Sequence, residues 1–143
     1  MTSEDAGWRS GRYLALAKTY HQAAAAITDS PDLEDLRSPF FALLGQAAEL
    51  ALKAVVARSG CDDERLLVMG HDLVRCWQLA QAQADFAKEA ASIAPLIELL
   101  AGPHQAQAFR YPTLLSWPLP SPREALWAVG QLLAPPADGP SRA

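Results

Sequence analysis

Phe40-Phe41-Ala42-Leu43-Leu44-Gly45-Gln46-Ala47-Ala48-Glu49-Leu50-Ala51-Leu52-Lys53-Ala54-Val55-Val56-Ala57 is the stretch on which the fold turns. Nearly every position is apolar, and a helix apolar all round has to be covered on most of its sides. It is therefore either the central helix of a bundle or the seam of a dimer. Its polar exceptions, Gln46, Glu49 and Lys53, stand three and four residues apart and share one narrow face. Two readings of that face stay open. In one it is an exposed stripe steadied by a Glu-to-Lys pair one turn apart, worth about 0.2–0.5 kcal/mol. In the other it lines a polar groove. The stretch is nearly long enough to span a bilayer, but Glu49 and Lys53 near its middle would each cost about 2.5–3.5 kcal/mol at the bilayer centre. A buried core helix in a protein with no membrane contact is the better expectation.

The rest of the composition agrees. The chain has 143 residues, 50% of them hydrophobic, and a net charge of −4, which is one domain with a core of its own and no broad basic surface for nucleic acid. Cys61 and Cys76 stand apart from each other and from any histidine run, so neither a disulfide framework nor a metal site is suggested, and no cofactor motif is present. With an acidic N-terminus that lacks a signal-peptide pattern, the expected location is the cytoplasm. Abundant Ala, a preference for Arg over Lys and the absence of Asn hint at a high-GC bacterial genome.

Outward from the central helix the pattern stays helical. Tyr13, Leu16, Ala17, Tyr20, Ala24 and Ile27 form an amphipathic stripe over 11–28, stopped by Pro31. Ser38-Pro39 reads as the opening of the central helix over about 39–58, and Gly60 as its end. A third helix starts at Gly70-His71-Asp72-Leu73, with His71 or Asp72 in the capping turn. A fourth covers about 86–101, with Pro95 as a kink and Gly102-Pro103 as its stop, and Ser121-Pro122-Arg123-Glu124 opens a last one that runs to Leu133. No segment alternates like a strand. The expectation is an all-α, up-and-down bundle of four to five helices over 10–133, between a flexible tail at 1–9 and a disordered end at 134–143. Trp8, Trp77, Trp117 and Trp127 read as core or interface anchors, His21 as packing and His104 as loop.

Glu49-Leu50-Ala51-Leu52-Lys53-Ala54, then Gly70-His71-Asp72-Leu73, then Phe109-Arg110-Tyr111-Pro112 before the closing helix, resembles the HEPN family of small helical-bundle proteins over about residues 11–133. The resemblance implies an up-and-down bundle, frequently a homodimer, found in prokaryotic defence and toxin–antitoxin systems and often beside a nucleotidyltransferase. Many HEPN proteins are metal-independent ribonucleases with an Arg followed four to six residues later by a His near the start of a late helix. This chain departs from that pattern, because His104 is its last histidine and neither Arg110 nor Arg123 precedes one. The only numerical match is Arg65 with His71, across an apolar, Gly-containing segment.

The expectation is thus a non-catalytic HEPN-like binding or interaction domain, taking a nucleotide, an RNA segment or a nucleotidyltransferase partner. The alternative is a ribonuclease using His71 with Arg65 or Arg110. The candidate ligand-binding residues are Glu49, Lys53, His71, Asp72, Arg75, Arg110 and Tyr111, with Lys53, His71, Arg75 and Arg110 converging on a phosphate. Against this stands a purely structural network, in which His71 and Asp72 cap the third helix, Glu49 accepts from His71 or Arg110, and Lys53 points outward. An orphan carrier of a small apolar ligand would also satisfy the composition.

Overall fold

A computed structural model describes residues 2–83, 86, 92–112 and 116–134 of the chain. Six α-helices and no strand are found among them: α1 (Ser3–Thr28), α2 (Arg37–Arg58), α3 (Asp63–Val68), α4 (Leu73–Gln81), α5 (Ala94–Gln105) and α6 (Pro122–Leu133). The protein is an all-α helical bundle.

The apolar stretch is the middle of it. α2 is packed by α1, α4, α5 and α6, and Phe40, Phe41, Leu44, Ala47, Ala48 and Leu52 are fully buried. Among the described residues it is the one helix long and apolar enough to cross a membrane, with a mean hydropathy of 1.6, but 83% of that window is covered by the rest of the chain. Its apolarity is satisfied within a single chain, so the choice between central helix and dimer seam goes to the central helix.

α1 lies along α2 on small residues. Ala6, Ser10, Ala17, Ala24 and Thr28 are buried, the Ser10 hydroxyl donates to the Ala54 carbonyl at 2.7 Å, and Leu16, expected in the buried stripe, is exposed. Short side chains let two helix backbones approach closely, and a large residue would hold them apart. The expected tail at 1–9 is corrected by the start of this helix at Ser3. Thr2 Oγ1 accepts from the Asp5 N–H at 3.1 Å and the Asp5 carboxylate accepts from the Thr2 N–H, a reciprocal capping box that satisfies two otherwise orphaned donors. The expected end at 134–143 lies outside the described residues from 135 on, as do residues 87–91 of the expected fourth helix.

Other boundaries move for local reasons. α2 begins at Arg37 because the turn at 32–36 winds directly into it, and Pro39 falls in the first turn, where its missing N–H costs nothing. The short α3 is capped by Asp62, whose side chain accepts from the Arg65 N–H at 2.9 Å. Pro95 stands in the first turn of α5 and opens that helix instead of kinking it. Gly102-Pro103 does not stop α5, which continues to Gln105 with Pro103 buried inside it. Gly102 leaves room for the Trp117 ring, which would lie 2.7 Å from a Cβ at that position. The extra turn carries His104 into the interior.

A buried carboxylate holding two histidines and a lysine

Four side chains from three parts of the chain meet where α5 and the turn before α4 close over α2. Glu49 and Lys53 lie one turn apart on α2, and their side chains are only 5% and 7% exposed. The Lys53 ammonium donates to Glu49 Oε2 at 2.9 Å. The imidazole of His71, in the turn before α4, places Nδ1 2.8 Å from Glu49 Oε1, and that of the buried His104, on α5, places Nε2 2.8 Å from the same oxygen. The two rings stand edge to face, 5.5 Å between centroids. A carboxylate is acceptor-only, so in this arrangement both ring nitrogens donate N–H to it. Burial pushes the Glu49 carboxyl up, but the hydrogen bonds from His104, Lys53 and His71 outweigh that and hold its pKa down at about 2.

Local structure explains why these groups can meet. Asp72 caps α4, its side chain accepting from the Arg75 N–H at 3.1 Å, and so fixes the turn that carries His71. Gly70, with φ of 56°, supplies the left-handed residue that the same turn needs. On α2, Gly45 makes room for His104: a Cβ there would lie 2.5 Å from the imidazole Nδ1.

Glu49, Lys53 and His71 are thus brought together, with Asp72 beside them as a cap, but the expected convergence with Arg75 and Arg110 does not form. Among the described residues neither arginine has a hydrogen bond or ion pair to Glu49. Arg110 is exposed, donates to the Gln107 side chain at 3.1 Å and lines a small pocket of about 90 Å³ with His104, Tyr20 and Phe109. Tyr111 is exposed. Lys53 points inward, against the expectation of an outward side chain, because its only way to remain charged in the core is to pair with Glu49.

His104, expected in a loop, lies buried inside α5. It stands 55 residues from its carboxylate partner and directly after a proline. One signal for it does exist, since Gly45 inside an otherwise large apolar helix marks a close approach by some other group.

Arg75 faces a second site. With Arg65 of α3 it lines a cleft of about 490 Å³ between the end of α2, α3 and α4, walled by Val56, Val68, Met69 and Leu79, with Glu64 and Gln83 at the polar side. His71 lines neither this cleft nor the Arg110 pocket. Cys61 also lines the cleft, its thiol pushed up by burial, and the buried Cys76 is pushed further, to about 12, so neither is an activated nucleophile.

Comparison of the chain with family models, with curated proteins and with solved structures finds no match, so the functional reading rests on these two sites.

Proposed function

We propose that this protein is a non-catalytic, HEPN-like binding domain whose ligand is a nucleotide or a short RNA segment held in the cleft between α3 and α4. The observation that carries the reading is that Arg65 and Arg75, from two different helices, share one apolar-walled cleft of about 490 Å³. That volume falls within the roughly 300–1,000 Å³ of ordinary ligand pockets. Two guanidinium groups offer forked donors to phosphate, while the valine, methionine and leucine wall suits the face of a base. The resemblance of the Glu49-to-Lys53 helix, the Gly70-to-Leu73 turn and the Arg110-to-Pro112 segment to the HEPN pattern supports the same class.

A ribonuclease would need His71 beside an arginine at one reacting phosphate. Here Arg65 and Arg110 line separate pockets and His71 lines neither, while the carboxylate that orients His71 is already occupied by three donors. The proposed biological setting is a defence or toxin–antitoxin pair with a nucleotidyltransferase, and the proposed assembly is a homodimer. The exposed Trp8 and Trp127 are the candidate anchors for that contact.

The test is titration of the purified, untagged chain with a fluorescent adenine nucleotide and a short single-stranded RNA. Saturable binding, weakened by Arg65→Ala and by Arg75→Ala and without cleavage of the RNA, is the expected result. No binding of either probe would overturn the cleft reading. Metal-independent RNA cleavage abolished by His71→Ala would replace it with the ribonuclease.

A further inference from the structure

We propose that Glu49, His71 and His104 form a two-histidine, one-carboxylate site for a divalent transition-metal ion of the zinc or cobalt type. The inference goes beyond the cleft between α3 and α4 and involves none of its residues. Three ligand atoms, one from each side chain, lie within 4.8 Å of one another, and each imidazole nitrogen is already 2.8 Å from the shared carboxylate oxygen. A first-row ion binds imidazole nitrogen and carboxylate oxygen at about 2.0–2.2 Å, so the two nitrogen–oxygen separations need open by only about half an ångström to admit one between them. Borderline nitrogen and oxygen donors select this class of ion over calcium or magnesium, which take all-oxygen sites.

The surroundings fit a metal centre in two further ways. Lys53 holds Oε2, which leaves Oε1 as a single, oriented donor, and this kind of outer hydrogen bond aims metal ligands. Glu49 and His104 are buried while the His71 side chain is 45% exposed, so the site is closed behind and open on one side, where a water or an anion can complete the coordination. When the ion binds, the N–H protons that now face Glu49 transfer to the other nitrogen of each ring, freeing the lone pairs. The Lys53 ammonium beside the ion limits the affinity, which places it below that of closed structural zinc sites.

Cobalt(II) is the direct probe. The metal-free, untagged full chain is titrated with cobalt(II), followed by its visible d–d absorption, and then competed with zinc(II). The structure predicts one saturable equivalent with the intense bands of a four- or five-coordinate ion, bleached by zinc. His71→Asn should weaken binding more than tenfold while keeping the far-ultraviolet circular dichroism of the parent, since this side chain is half-exposed and its loss leaves the core intact. Absence of a saturable first equivalent, or unchanged binding in His71→Asn, overturns the site. Nucleotide binding by the same variant reads the cleft independently, so the two proposals fail separately.

Discussion

The Glu49 cluster and the cleft between α3 and α4 lie on opposite terms with water. In the first, a carboxylate, an ammonium and an imidazole are taken almost wholly out of solvent and matched to one another within 2.9 Å. In the second, Arg65 and Arg75 stay exposed, and so does Val68 on the apolar wall they share. The contrast separates two uses of polarity. Buried polar groups must satisfy one another and so specify how the helices meet. Exposed arginines over an apolar wall have donors to spare for a ligand.

The most direct way to break this comparison is to remove the buried anion. Glu49→Ala leaves Lys53 charged and unpaired in the core, and truncating one partner of a buried ion pair costs about 3–5 kcal/mol. Denaturant unfolding should show that loss. A change under 1 kcal/mol would mean that the cluster is no more structural than the cleft.

Acid probes the same group without mutation. The Glu49 pKa is lower in the folded chain than its ordinary 4.5, so the unfolded chain takes up its proton first as pH falls. The stabilisation is therefore complete above about pH 5 and is lost progressively as pH drops toward 2, amounting to about 3 kcal/mol. Stability followed over that range should show this limb in the parent and lack it in Glu49→Gln. An equal acid limb in both proteins would assign it to the surface carboxylates instead.

Gly45 tests how tightly the cluster is seated. A Cβ at this position would fall 2.5 Å from the His104 ring, a rigid group already anchored to Glu49, so Gly45→Ala should cost about 1–3 kcal/mol through overpacking. Gly7 and Gly11 on α1 have nothing within 4 Å of such an atom, and alanine there should stabilise by up to about 1 kcal/mol through helix propensity. The opposite signs are the result to look for in thermal melts. Destabilisation at all three glycines would remove the special status of position 45.

These elements also divide according to what a linear pattern can carry. The burial of α2 was legible because an all-apolar helix admits little else, and the Ser121 cap because a cap is a local arrangement of three or four residues, while at the start of α4 the same locality narrowed the cap to His71 or Asp72, of which Asp72 is the one that accepts. The capping box of Thr2 and Asp5 was written just as locally, but its position so near the start of the chain made it read as a tail. His104 was hidden because its partner is remote and Pro103 imitates a helix stop, although that proline is buried inside α5. The Glu49–Lys53 pair was visible as a spacing, but spacing does not tell an exposed pair from a buried one. Only the helices packed over it decide that, and they come from α4 and α5.

The smallest stability effect belongs to the cleft, and it carries the other half of the comparison. Arg65 and Arg75 contribute their backbone N–H groups to the Asp62 and Asp72 caps, and those bonds survive truncation of the side chain. Surface substitutions away from caps and cores fall within about 0.5 kcal/mol, so Arg65→Ala and Arg75→Ala should melt with the parent. If their side chains are there to bind, the double variant should lose affinity for a phosphate-bearing probe while its denaturation midpoint stays fixed, and the loss should shrink as salt is raised, because exposed charges are screened. A double variant that binds as the parent does but unfolds more readily would reverse the assignment, making the arginines part of the scaffold and moving the ligand site out of this cleft.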